Sequence, residues 1–190
     1  MIRHFSSADS GMRKGLPGRG ACALIWILLL APQAFAQLQD ESAVRAAFVF
    51  NLTKYVEWPR SSGELVIGFV GESSMGEILK KMLDGKASES RSIRVLASPS
   101  EEQLPQCNIV YIAYSSPKKF RPVLEKLREK GVLTVGDDYS FALNGGMVGL
   151  VRAGDHIQIM INLEVVQESG LKISSRVLSL AAIVRTSGGG

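Results

Sequence analysis

The sequence predicts an α/β fold: a mixed, mainly parallel sheet of about six strands flanked by helices, with an antiparallel hairpin near the C-terminus. Three observations point to it. From Glu41 to Val135 the segments alternate as helix, strand, helix, strand, strand, helix, strand, a spacing that argues for parallel pairing through right-handed crossovers. Glu64–Val70 (ELVIGFV) and Cys107–Ala113 (CNIVYIA) are near-continuous apolar runs, as in strands covered on both faces. Met147–Val151 and His156–Asn162 are joined by Arg152-Ala153-Gly154-Asp155, the spacing of a hairpin.

Residues 1–36 read as a targeting segment outside the fold. Arg13, Lys14 and Arg19 form a basic start, Ala21–Leu30 is an apolar run too short to span a bilayer, and Ala34-Phe35-Ala36 offers small residues at a cleavage point. A secretory signal peptide cut between Ala36 and Gln37 is expected, and with it a periplasmic location. An uncleaved anchor is the rival reading. Cys22 lies at the start of the apolar run, not after it, which argues against a lipidated cysteine. Residues 37–185 are then one domain and 186–190 a loose tail.

Removing 1–36 takes four of the 22 basic residues and one of the 18 acidic ones, leaving 18 against 17 and a net charge of +1. The basic character of the whole chain is therefore mostly a targeting property, and no nucleic-acid partner follows from it. Cys107 alone survives cleavage, which excludes an internal disulfide, and its place in an apolar run reads as a buried small hydrophobe.

The first element is a helix over Glu41–Pro59, with Val44, Phe48, Leu52, Tyr55 and Val56 on one face and Pro59 as its stop. After a loop at 60–63 and the strand Glu64–Val70, a helix is expected over Met75–Leu83, with Ile78, Leu79 and Met82 inward. Arg91–Leu96 alternates enough to be a strand near an edge. A turn around Glu101, Glu102 and Leu104 leads to the strand Cys107–Ala113. The next helix is placed over Phe120–Lys130, with Pro122 tolerable only in its first turn and Gly131 as its stop. Val132–Val135 is a strand, Asp137–Phe141 a helical turn and Asn144-Gly145-Gly146 a tight turn. After the hairpin, Leu163–Ser169 forms a helix closed by Gly170. A last helix capped by Ser174 or Ser175 carries Val177, Leu178, Leu180, Ala181 and Val184 as its apolar positions.

Little in the sequence points to catalysis. His156 is the one histidine after residue 36, on an alternating strand, and with a single cysteine it excludes a His/Cys metal cluster. Asp137-Asp138 follows a strand and fits either a carboxylate pair for metal or acid–base work or the cap of the next turn; capping is favoured. Gly68–Ser74 lies between strand and helix but lacks dinucleotide-binding glycine spacing. Gly146–Leu150, with Met160, Leu171 and Ile173, is either core or an exposed apolar patch for protein contact.

Two stretches together resemble the YfiR-like family of periplasmic proteins. One is Ala46–Pro59 (AAFVFNLTKYVEWP), with its helix followed by Trp-Pro. The other is the ordered set Val132–Val135, Phe141, Gly145-Gly146-Met147, Ile161-Asn162 and Gly170–Leu178 (GLKISSRVL). The resemblance implies a mixed sheet flanked by helices, no enzymatic activity and no cofactor. It also implies a homodimer that represses the periplasmic domain of an inner-membrane diguanylate cyclase, so restraining cyclic di-GMP and biofilm formation. A small ligand and a sequestering outer-membrane lipoprotein are further implied partners. Redox tuning by an internal disulfide, a feature of the best-studied member, cannot carry over to a chain with Cys107 alone; a bridge between copies would need that thiol exposed.

The leading reading is a non-enzymatic regulator whose partner surface uses Met147, Leu150, Leu171 and Ile173 as apolar anchors, with Glu164 and Arg176 as a polar rim. A second is a solute-binding module in which Trp58 and a cation, Arg60 or Lys172, enclose an anionic or aromatic ligand. A third, a hydrolase built on Asp137-Asp138, would need a metal and a pocket.

Overall fold

A computed structural model describes residues 41–59 and 63–187; the targeting segment, Arg60 and residues 188–190 of the tail lie outside the described residues. Helix α1 covers 41–55 and runs directly into a two-residue strand, β1 (Val56–Glu57). Then follow β2 (Leu65–Gly71), α2 (Met75–Leu83), β3 (Ala87–Ser88), β4 (Arg91–Leu96), β5 (Ile109–Ala113), α3 (Pro117–Leu127) and β6 (Leu133–Gly136). The chain closes with β7 (Val148–Ala153), β8 (His156–Asn162), α4 (Leu163–Glu168), β9 (Lys172–Ile173), α5 (Ser175–Leu178) and β10 (Ala181–Val184).

Eight strands form the main sheet in the order β10-β8-β7-β6-β5-β2-β4-β3, and β1 pairs with β9 in a separate two-stranded sheet. From β4 to β7 every neighbouring pair is parallel, β7 and β8 form the antiparallel hairpin, and β10 returns parallel to β8. The mixed, mainly parallel sheet is thus as expected, with more strands. Four strands are additional: β1, β3 and β9 have two residues each, too few to show a periodicity, and β10 has four.

One face of the sheet packs on α1, α2 and the α4–α5 segment. Its core joins Ala46, Val49 and Leu52 to Leu65, Ile67, Ile109, Tyr111, Leu133, Leu150 and Ile161. The other face carries a smaller core in which Val110, Ile112 and Cys107 meet Phe120 and Leu127 of α3 and the Phe141 ring. Residues alternate between the two along β5, which accounts for its continuous apolar sequence.

Several expected boundaries are corrected. The buried residues of α1 are Ala46, Val49, Leu52 and Thr53, with Val56 of β1 continuing the stripe, while Val44 is exposed. Arg45 sets this rotation. Its Nε donates to the Leu150 carbonyl at 3.2 Å and its guanidinium pairs with Glu41 at 2.6 Å, so the neighbouring Val44 is turned outward. The helix ends at Tyr55, four residues before Pro59, because Val56 and Glu57 find strand partners in Ile173 and Lys172. Helix α3 starts at Pro117, whose missing N–H costs nothing in the first turn, and Pro122 sits inside it, on an exposed position. The final helix is only Ser175–Leu178. Ala181–Val184, read as its continuation, is a strand, since β8 supplies a ladder partner that local sequence does not reveal.

Candidate functional site

Two segments over a hundred residues apart in sequence meet at the β1–β9 pair, where Val56 lies opposite Ile173 and Glu57 opposite Lys172. The period-2 alternation buries Val56 and Ile173 and turns Glu57 and Lys172 to solvent, presenting opposite charges in register. The junction extends in both directions: the Ser174 amide donates to the Tyr55 carbonyl at 2.9 Å, and the Arg176 guanidinium sits 5.8 Å from the centre of the Tyr55 ring. Pro59 is exposed, and a methyl group placed on Gly170 would lie 3.4 Å from its ring. Helix-then-Trp-Pro and Gly-Leu-Lys-Ile-Ser-Ser are therefore two sides of one surface, with Glu57, Pro59, Lys172 and Arg176 outward.

The anchors proposed from sequence are corrected. Met147, Leu150, Leu171 and Ile173 are between 0% and 8% exposed and belong to the main core. Leu150 and Ile173 face inward by the pleat of their strands, Leu171 by the turn after α4, and Met147 lies just before β7 with its amide donating to the Thr134 hydroxyl, so none offers a surface to a partner. Glu164 and Arg176 are exposed as a rim requires. Trp58 is also corrected as a ligand residue: it is 6% exposed, its indole N–H donates to the Asn108 carbonyl at 3.0 Å, and Arg91 lies over its ring. Asn108 in turn exchanges bonds with Val66 and accepts from the Leu133 amide, so Trp58 ties the end of β1 to β2 and β6. Lys172 is exposed and is not beside an open Trp58 face; Arg60 lies outside the described residues.

Other residues that carry the resemblance are structural too. Asn162 is fully buried: its side chain caps α4 at Val165 and donates to the Ala142 carbonyl and the Thr186 hydroxyl. The Phe141 ring lies flush on Gly136 and Gly146, leaving no room for a β-carbon at either. Gly68 and Gly71 serve packing as well: a methyl on Gly68 would come within 2.9 Å of the Cys107 sulfur, and one on Gly71 within 2.7 Å of the Ala113 carbonyl.

Asp138 caps the turn after β6, accepting from the Ser140 amide at 2.9 Å and from its hydroxyl. Asp137 accepts from the Tyr111 hydroxyl at 3.2 Å. Burial raises its pKa, against the pull of Arg45 and that hydroxyl. Tyr111, buried and facing this carboxylate, is pushed well up for the same reasons. His156 is exposed and pairs with the adjacent Asp155. Among the described residues no three His, Cys, Asp or Glu side chains cluster to hold a metal ion, and no helix is long and apolar enough to cross a membrane. Cys107 is buried, its thiol pushed up to about 11 by that burial, which leaves no exposed cysteine sulfur among the described residues for a bridge between copies. A crevice of about 530 Å³ runs between α3 and α4, with Arg121, Arg128 and Glu164 over Leu127, Met147 and Val165.

Fold and surface together define a sheet-and-helix domain with a charged, partly aromatic surface where residues 55–59 meet residues 170–176. A family model described as YfiR/HmsC-like matches residues 42–182, and the chain belongs to that family. The family is regulatory rather than catalytic, and membership points to cyclic di-GMP signalling.

Proposed function

We propose that this protein is a periplasmic regulator that binds the periplasmic domain of an inner-membrane diguanylate cyclase and holds the enzyme inactive, restraining cyclic di-GMP and biofilm formation. The observation that carries the reading is the convergence of the two family segments on one exposed surface, Glu57, Pro59, Lys172 and Arg176, with their apolar residues spent on the core beneath. Such a surface contributes through orientation and electrostatic steering, so binding weakens as salt rises. An outer-membrane lipoprotein that covered the same residues would relieve repression by competition.

A second reading, small-solute binding, is favoured by the crevice between α3 and α4, whose size suits a small organic molecule and whose lining sets Arg121 and Arg128 among Glu125, Glu164 and Glu168 beside an apolar floor. The two readings are compatible: a ligand that prefers the partner-free protein shifts partner affinity by linkage, typically ~5–150-fold. Titration of the protein against the periplasmic domain of the diguanylate cyclase encoded nearest to it tests the first reading. Saturable binding at micromolar or tighter affinity is expected. Absence of binding at low salt, with and without small-molecule extracts, would overturn it.

A further inference from the structure

In the parallel part of the main sheet the direction of winding reverses between β2 and β5. From β2 the chain crosses through α2 to β4 on one side, then returns to β5 on the other side of β2 and goes on through α3 to β6. These four strands are parallel, so their carboxyl ends share one edge of the sheet. Helix α2, which follows β2, packs on one face, and α3, which follows β5, on the other. The loops leaving the two strands therefore part, and a reversal of this kind is where open parallel sheets bind ligands. Beyond the last pair of this ladder, Gly71 opposite Ala113, lies a crevice of about 310 Å³. Glu72 and Ser73 line it from the loop after β2, Tyr114, Ser115 and Ser116 from the loop after β5, and Lys119 from the first turn of α3.

We propose that this crevice binds the phosphate group of a small phosphate monoester, with Lys119 as its counter-charge, and that Glu72 holds Lys119 until the ligand displaces it. The Lys119 ammonium lies 2.6 Å from a Glu72 carboxylate oxygen and 5.7 Å from the centre of the Tyr114 ring, so one ion pair joins the two loops. Both of its side chains are more than half exposed, 53% and 71%, which makes the pair weak and open to exchange for a more highly charged anion. The hydroxyl of Ser116 is not spent on capping α3, and that of Ser73 accepts from the Met75 amide with its own proton left to give. Among the described residues of the lining there is no arginine for the two-pronged grip of a planar carboxylate. A point charge ringed by hydroxyls suits a tetrahedral anion instead. The volume is at the lower end of the ~300–1,000 Å³ usual for ligand sites, which leaves room for a few carbons beyond the phosphate and not for a dinucleotide.

The site stands apart from the cyclase-binding surface and from the crevice between α3 and α4, so the failure of either reading leaves it intact. Amide NMR spectra of the protein expressed from its full sequence, titrated with inorganic phosphate, glycerol phosphate and acetate, test it. Saturable shifts confined to Gly71–Glu77 and Ala113–Lys119 are expected, with a Kd on the order of 1 mM or tighter for glycerol phosphate. Lys119→Gln should weaken that binding at least about tenfold, since a hydrogen bond between two charged groups is lost. Glu72→Gln should tighten it about two- to fivefold, because the competing partner of an exposed ion pair is removed. Both side chains are exposed, so each variant should melt within about 2 °C of wild type. Shifts spread over surface lysines at large, or acetate binding as tightly as phosphate, would overturn the proposal. So would a Lys119→Gln protein of unchanged affinity, or a Glu72→Gln protein that binds no better than wild type.

Discussion

Replacing Trp58 by alanine separates a structural role for this side chain from a ligand-binding one. Trp58 is 6% exposed and packs in the main core, and its indole N–H is bonded to a carbonyl that also accepts from the Leu133 amide. Truncating a buried tryptophan costs about 3–5 kcal/mol through lost burial and the cavity left behind. The Asn108 carbonyl keeps its second donor, so no orphaned acceptor adds to this. For a chain of this size each kcal/mol lowers the melting temperature by about 2–4 °C, giving a fall of roughly 6–20 °C for Trp58→Ala. Trp58→Phe keeps a buried ring but loses the hydrogen bond, worth about 1–2 kcal/mol and roughly 2–8 °C. Thermal unfolding followed by circular dichroism, with urea unfolding as a check, reads both. A Trp58→Ala protein melting within about 2 °C of wild type would refute the assignment of this residue to the core.

Two further outcomes are expected. Burial raises the Asp137 pKa above its ordinary value of 3.8, so the folded protein retains a proton that the unfolded chain has already released. The stability this group contributes is full below that ordinary value and is lost as pH rises through the raised one. Urea unfolding of wild type and Asp137→Asn from pH 3 to 7 should accordingly show the difference, wild type minus variant, falling with pH and then levelling. A difference that rises with pH would contradict the burial argument. Cys107, buried and with its thiol pushed up to about 11, should react with a disulfide reagent at pH 8 at least about a hundredfold more slowly than in the urea-unfolded chain. Rapid labelling of the folded protein would show that this part of the second core opens.

The parallel sheet was legible because its strands are long apolar runs bounded by turn residues: β2 and β5 could be read from ELVIGFV and CNIVYIA alone. The face of α1 was misjudged because Arg45 is drawn to the sheet by the Leu150 carbonyl, a contact 105 residues away that no local periodicity encodes. The strand β10 was misread as helix because four apolar residues fit either state until β8 supplies a ladder. Exposed anchors could not be told from core at Leu171 and Ile173, since strands and turns that close over a sheet have the same composition as an apolar patch. The surface residues Glu57 and Pro59 were missed for a related reason: a two-residue strand carries no alternation to read. Part of each stretch that carries the family resemblance, Tyr55–Pro59 and Gly170–Arg176, falls on the β1–β9 junction.

The central claim, that this junction is the regulatory surface, is most directly tested by measuring affinity for the cyclase periplasmic domain with a double charge reversal, Lys172→Glu with Arg176→Glu. Both side chains are exposed, so the variant should melt within about 2 °C of wild type. The account predicts a loss of affinity of at least about tenfold that narrows as salt is raised. A folded double variant that binds as tightly as wild type at low salt would contradict it.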